Sequence, residues 1–165
     1  MRSKEQENKR RQRRRKKQLE RAIHAQSVSL DGLAELHPRG VVSFDLEMAG
    51  AFPDDIIEIG AIRLPLGSDK IEVFRRLIRP RTFINRTVRN MTGLTKEDLR
   101  DKSTLDVSLP EFLDFVDPEG LVVGHAIGDN DRLSINLALM RMNLQNGTSI
   151  RFCPRYLDTV RLAQQ

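Results

Sequence analysis

The stretch "VVSFDLEMAG", residues 41–50, is an apolar run that carries two carboxylates, and its pattern predicts a strand. Successive residues of a strand point to opposite faces, so Asp45 and Glu47 share one face. The residues that share the other face are Phe44, Leu46 and Met48. Neighbouring carboxylates at the edge of a core repel each other unless a cation neutralises them. Mg²⁺ prefers oxygen ligands, so the pair predicts half of a metal site, although Asp-x-Glu in one strand is weak evidence alone.

Further strand-like segments surround this one. "DIIEIGAIRL", residues 55–64, and "IEVFRRLIRP", residues 71–80, flank the turn "PLGSDK", which predicts a hairpin and hence an antiparallel three-strand meander. A short buried strand is predicted at "GLVVGH", and "RYLDTVRLAQQ" predicts a strand end that runs into a helix with Asp158 as its N-cap. Strands in a meander and then in alternation with helices predict an α/β sheet with helices on its faces.

The predicted helices lie between these strands. Residues 85–101, "NRTVRNMTGLTKEDLRD", predict two short helical pieces broken at Gly93, the second capped by Thr95 and Asp98. "SLPEFLDFV" predicts an amphipathic helix with Pro110 in its first turn. "DNDRLSINLALMRMNL" predicts a mostly apolar helix, whose apolar positions are Leu133, Ile135, Leu137, Leu139, Met140 and Met142.

A second group of polar side chains follows the strand that ends at Gly124. His125, Asp129 and Asp131 lie between this strand and the start of the next helix. Acidic residues are common at helix N-termini for capping and dipole reasons, so a purely structural role is one interpretation. The other is functional, because ligands collect at the carboxyl ends of strands in open α/β sheets. Both interpretations stay open from the residues alone.

The positive charge is concentrated at the N-terminus. Residues 1–25 carry a net charge of +8, whereas residues 26–165 carry a net charge of −3. Such a segment cannot bury apolar surface and is typical of tails that bind polyanions, so residues 1–40 are interpreted as a basic tail and linker and residues 41–165 as the domain. A solubility tail or a localisation signal would look similar. The residues expected to contact nucleic acid are Arg10, Arg11, Arg13, Arg14, Arg15, Lys16 and Lys17.

The remaining composition narrows the protein class. The single cysteine, Cys153, excludes an intrachain disulfide and favours a reducing compartment. No stretch reaches the length of a membrane span, and the N-terminus lacks the apolar core of a secretory signal. We therefore expect a soluble, cytoplasmic protein with no membrane partner.

The order of these motifs resembles the DEDD exonucleases of the DnaQ-like, ribonuclease H-like superfamily. "FDLEMAG" with "DDIIEIGAIRL" is similar to the first family motif, and "INRTVRNMTGLTKEDL" is similar to the segment before the second. "VVGHAIGDNDRLSINLALMRMNL" resembles the second motif, and "YLDTVRLA" resembles the strand and helix start that follow it. The resemblance runs from residue 41 to about residue 163 and implies a ribonuclease H-like mixed sheet with flanking helices.

The resemblance also implies a function. It implies a 3′–5′ exonuclease that holds two Mg²⁺ or Mn²⁺ ions and releases nucleoside 5′-monophosphates from single-stranded DNA or RNA 3′ ends. Asp45 and Glu47 would bind metal together with Asp131, or with Asp129 as the fallback, because the usual position of the second-motif aspartate is Asn130 here. The helix pattern downstream favours Asp131. Met48 and His125 would contact substrate, and a polymerase or an RNA-processing protein would be the partner.

One part of the family pattern has no counterpart in the 165 residues. The family places a histidine or tyrosine general base and a fourth aspartate on a final helix, whereas the three histidines here are His24, His37 and His125. We therefore expect a truncated C-terminal helix, no general base and weak hydrolysis, with Asp158 a cap rather than the fourth ligand. Two hypotheses remain, an exonuclease or part of one, and an impaired homologue that acts as a nucleic-acid-binding or accessory protein.

Overall fold

In the computed structural model, which describes residues 39–66, 70–117, 120–127 and 130–160, five strands form one mixed sheet. The strands are β1 (Val41–Met48), β2 (Ile56–Leu64), β3 (Glu72–Leu77), β4 (Leu121–Gly124) and β5 (Arg155–Asp158). Their order across the sheet is β3-β2-β1-β4-β5. β1, β2 and β3 are antiparallel neighbours, and β4 and β5 are added in parallel to β1. The predicted meander and mixed α/β sheet are therefore confirmed. Residues 1–38 of the predicted tail and linker lie outside the described residues.

Four helices connect the strands within the described ranges. They are α1 (Arg86–Thr92), α2 (Lys96–Leu99), α3 (Leu105–Val116) and α4 (Asp131–Asn146). α1 ends at Gly93, whose φ of 74° is a left-handed conformation that glycine adopts without strain. Thr95 and Asp98 form the predicted capping box of α2. No helix in this part of the chain combines the length and the hydropathy that crossing a bilayer requires.

The prediction for the start of α3 was wrong by three residues. The helix begins at Leu105, so Pro110 is its sixth residue and not part of its first turn. A proline in a helix interior removes one backbone hydrogen bond, which disfavours this position on local grounds. Leu105, Leu109 and Phe112 are all buried, and their burial on one helix face outweighs the lost bond.

One face of the sheet carries the main hydrophobic core. Val42, Phe44 and Leu46 are buried there, and Met48 packs against the same cluster, as the strand alternation predicted. α3 and α4 contribute the other side, and the ring of Phe44 lies edge-on to Phe112 with centroids 5.1 Å apart. Of the predicted apolar positions of α4, Ile135, Leu139 and Met142 are buried, whereas Leu133 and Met140 are exposed.

The opposite face of the sheet carries Asp45 and Glu47. Cross-strand partners share a face, and the pairing places Ile62 and Val73 in line with Ser43 on this side. Ile62 is 45% exposed and Val73 is 71% exposed among the described residues. The two carboxylates therefore lie on a face that the described helices leave largely open.

Candidate active site

The carboxyl-terminal half of β1 has no strand partner on the side where β4 pairs with its first residues, and we call this side the open edge of β1. β1 pairs with β4 at Val41–Ser43, so β1 continues five residues beyond its last residue with a β4 partner. α4 begins at Asp131, and the backbone of Leu46 lies close enough to the Asp131 carboxylate to oppose the rise in its pKa. The pairing of β1 with β2 shifts by one residue between Glu47 and Met48, as it does at a β-bulge. The second predicted group of acids is thus brought to the end of the strand that carries the first.

The three carboxylates interact electrostatically. Burial above all, and then the charge of Asp45, raise the pKa of the Asp131 carboxyl from 3.8 to about 6. Glu47 contributes a smaller repulsion to Asp131, and the hydrogen bonds from the backbone of Asp131 and Leu46 oppose the rise. The pKa of Glu47 is also raised, first by burial and then by the charges of Asp45 and Glu58. This end of β1 therefore accumulates negative charge that favours a bound cation or proton.

Glu58 belongs to the same surface, and the sequence reasoning missed it. It is the direct cross-strand partner of Glu47, and its Oε1 accepts a 2.6 Å hydrogen bond from Nε of Arg75. That ion pair compensates the charge of Glu58 within the protein. Asp45, Glu47 and Asp131 take part in none of the ion pairs among the described residues. The antiparallel register of β1 and β2 was the signal that could have revealed Glu58, because it places alternate β2 residues on the face of Asp45.

The donor set fits a hard divalent cation in its chemistry. Asp45, Glu47 and Asp131 offer only carboxylate oxygens, which suit Mg²⁺ and Mn²⁺ and do not suit softer metals. Across the described ranges, however, no three histidine, cysteine or acidic side chains are gathered closely enough to hold an ion. Binding of a metal ion would therefore require the side chains of Asp45, Glu47 and Asp131 to move closer to one another. Asp129, the fallback ligand, lies outside the described residues.

The loop that follows β1 is tied to the segment before α1. The backbone N–H of Ala49 donates to the carbonyl of Asp55, and the N–H of Asn85 donates to the carbonyl of Ala49. Gly50 has a φ of 98°, and a Cβ there would lie 2.0 Å from Nδ2 in the side chain of Asn85. A glycine is therefore required, and the strand end that carries Glu47 is held in one position.

The two predicted substrate contacts lie in different surroundings. Met48 is partly buried against the main core at the end of β1. His125 is exposed directly after β4, and its Nδ1 lies 3.1 Å from Oγ1 of Thr159. His125 is the one histidine within the described ranges, so no second imidazole is available there as a general base. Asp158 accepts from the N–H of Val160, as its predicted capping role requires.

Sequence comparisons identify relatives among bacterial DNA polymerases. The chain is 30% identical over 125 residues to the PolC-type DNA polymerase III of Thermotoga maritima, covering 74% of this chain and 9% of that protein. It is 33% identical over 98 residues to the DNA polymerase III epsilon subunit of Aquifex aeolicus, covering 59% of this chain and 45% of that protein. The chain thus spans less than half of the length of these relatives.

Structure comparisons give the same fold. A structure of exonuclease X in complex with 5′ overhanging duplex DNA superposes with a TM-score of 0.54 at 19% identity, covering 75% of this chain and 62% of that one. E. coli exonuclease I in complex with an oligonucleotide superposes with a TM-score of 0.60 at 16% identity, covering 75% and 29%. The RNase T family model, described as exonuclease, matches residues 42–165. With that match over most of its length, the chain belongs to the RNase T family of DEDD-type 3′–5′ exonucleases.

Proposed function

We propose that this chain carries a metal-dependent 3′–5′ exonuclease that removes nucleoside 5′-monophosphates from DNA or RNA 3′ ends. The observation that carries the proposal is the position of Asp131 at the open edge of β1, where it is electrostatically coupled to Asp45 and Glu47. These carboxylates come from a strand and a helix separated by about half of the chain, and burial raises the pKa of both Glu47 and Asp131.

Each carboxylate has a definite contribution in this proposal. Asp45, exposed on β1, and Glu47, beside the bulge, would hold Mg²⁺ or Mn²⁺ together with Asp131. Two such ions would activate water and stabilise the leaving 3′ oxygen. Met48 and His125 would contact the terminal nucleotide from the ends of β1 and β4.

The test is hydrolysis of end-labelled single-stranded DNA and RNA by the full chain in Mn²⁺ or Mg²⁺. We expect slow release of nucleoside 5′-monophosphates from the 3′ end. Because losing even an outer partner of a metal ligand costs about 10–100-fold, Asp45→Asn and Asp131→Asn should each lower the rate by about 100-fold or more. Asp114→Asn, on the exposed side of α3, is the matched control and should leave the rate unchanged. Release that persists in Asp45→Asn, or no release at all, would contradict the proposal.

A second candidate is a nucleic-acid-binding or accessory protein without catalysis. Two observations favour it, the net charge of +8 in residues 1–25 and the lack of a gathered metal-ligand group in the described part of the chain. The names of the relatives make a DNA polymerase a reasonable partner for either candidate. Tight binding of single strands together with no metal-dependent release would favour this candidate over the nuclease.

A further inference from the structure

The turn that follows β4 is anchored to the end of β5. β4 and β5 remain paired up to Gly124 and Asp158. The N–H of Ala126, two residues beyond β4, donates to Oδ1 of Asp158 at 3.0 Å. The same oxygen accepts from the N–H of Val160 at 3.0 Å, and Asp158 is buried. Ala126 has a φ of 55°, a strained conformation for a residue with a Cβ, so the anchor holds a backbone geometry that local preference opposes.

Thr159 contacts both the strand end and the imidazole of His125. Its Oγ1 lies 3.3 Å from the carbonyl oxygen of Gly124 and 3.1 Å from Nδ1 of His125. A hydroxyl has one proton to donate, and a carbonyl oxygen can only accept. Both contacts are therefore hydrogen bonds only when Thr159 donates to Gly124 and Nδ1 of His125 carries the proton that Thr159 accepts.

This arrangement selects the tautomer of His125. In a neutral imidazole with its proton on Nδ1, Nε2 has a lone pair and accepts hydrogen bonds. His125 is exposed, so Nε2 is accessible to a ligand. His125 follows β4 directly, and Asp131 begins α4 six residues later, so both residues come after the carboxyl end of β4.

We propose that Thr159, directly after Asp158, is a positioning residue for His125, which lies on the turn that Asp158 anchors. Thr159 holds neutral His125 as the Nδ1–H tautomer and presents Nε2 as an acceptor to the hydroxyl of a strand 3′ end. The assignment of the tautomer stands on the hydrogen bonds alone. The identity of the donor, a sugar hydroxyl, rests on the exonuclease function proposed above. A hydroxyl at a 3′ terminus is a donor that an internal nucleotide of DNA lacks, which gives such an acceptor a role in selecting ends.

The first experiment reads the tautomer directly. Long-range ¹H–¹⁵N spectra of the full chain at neutral pH distinguish protonated from unprotonated ring nitrogens, and His125→Gln assigns the signals against those of His24 and His37. We expect Nδ1 of His125 to be protonated in the wild type and in Thr159→Ser, which keeps the hydroxyl. In Thr159→Val, which keeps the shape and removes the hydroxyl, we expect the tautomer mixture of a free imidazole. A wild-type imidazole protonated at Nε2, or no change in Thr159→Val, would overturn the assignment.

The second experiment tests the ligand. Affinities of the full chain for DNA oligonucleotides that end in a 3′-hydroxyl or in a 3′-deoxy sugar are compared, with Ca²⁺ in place of Mg²⁺ to limit hydrolysis. Because one hydrogen bond is at stake, we expect the wild type and Thr159→Ser to prefer the hydroxyl end by about three- to ten-fold, and Thr159→Val to lose the preference. Equal affinities in the wild type would overturn the substrate contact. Since this readout is binding, a chain without nuclease activity would still give the preference, and the two proposals fail separately.

Discussion

Asp131 is a buried carboxylate whose charge the fold disfavours. Its pKa of about 6 in the folded protein exceeds its ordinary value of 3.8, so the folded state binds the proton more tightly than the unfolded state. The folded protein therefore loses stability as the pH rises through the interval between these values. Without divalent ions, Asp131→Asn should stabilise the protein above pH 6 and have no effect below about pH 4. A shift of this size corresponds to at most about 3 kcal/mol, which solvent screening reduces to about 1–2 kcal/mol.

Thermal unfolding across this pH interval, in the presence of a chelator, measures the effect. Asp114→Asn changes the net charge equally on an exposed helix surface and should shift Tm little at any pH. A destabilised Asp131→Asn at neutral pH would show that the carboxylate is stabilising as an anion, contrary to this prediction.

Asp45 allows a second test at the residue scale, which does not depend on catalysis. A ligand that binds only the folded state raises Tm by mass action, so millimolar Mn²⁺ should stabilise the wild type. Asp45→Asn removes one ligand and one charge, and the Mn²⁺-dependent rise in Tm should fall to less than half. Asp114→Asn should keep the full rise. An unchanged rise in Asp45→Asn would place the ion somewhere other than the end of β1.

At the scale of elements, the buried carboxylate of Asp55 joins the start of β2 to the segment before α1. It accepts hydrogen bonds from the backbone N–H groups of Arg81 and Thr82, both at 2.9 Å, and from the Thr82 hydroxyl at 2.6 Å. Asp55→Ala leaves these donors without their charged acceptor. We expect a loss of about 2–4 kcal/mol in the free energy of unfolding, since hydrogen bonds to charged groups contribute about 1.5–3 kcal/mol each and do not add fully.

Urea denaturation of Asp55→Ala measures this loss. The control is Asp101→Ala, an exposed position, which should change the stability by less than about 0.5 kcal/mol. Equal effects of the two substitutions would mean that the connection between β2 and α1 contributes little to the fold.

At the scale of the whole molecule, the open sheet face carries both the carboxylates of the proposed active site and exposed apolar side chains. Ile62 and Val73 are cross-strand partners on this face, and exposed apolar patches promote association. We expect the chain to self-associate at high concentration, and a double variant, Ile62→Thr with Val73→Thr, to remain monomeric with a loss of less than about 1 kcal/mol, because threonine keeps the β-branched shape. Sedimentation velocity measures the association. Val107→Thr, exposed on α3, is the control, and equal association of all variants would contradict the prediction.

A separate prediction at this scale follows from the net charge of +8 in residues 1–25. If that segment binds phosphates, deleting it should lower the affinity for single strands and flatten the dependence of log K on log salt, because fewer counterions are released. Fluorescence anisotropy over a salt series measures both quantities. Affinity that is undiminished after the deletion would refute the nucleic-acid role of the segment.

The sequence by itself determined the class of fold and the family. Alternating and periodic apolar patterns are local, so the meander, the break at Gly93 and the capping box at Thr95 were predictable, as was the opposite orientation of Asp45 and Phe44. The start of α3 was not predictable from the sequence. Proline locally favours the first turn of a helix, but the burial of Leu105 in a core assembled from distant segments outweighs this preference of Pro110.

Only the tertiary structure decided which side chains meet. The open edge of β1 exists because β4 pairs with three of its residues, and Asp131 of α4 is electrostatically coupled to Asp45 and Glu47 on this strand. The strand register brings Glu58 opposite Glu47, and the pairing of β4 with β5 brings Thr159 to His125. Such contacts join residues that are far apart in the chain, and their formation depends on register and packing that no local pattern encodes.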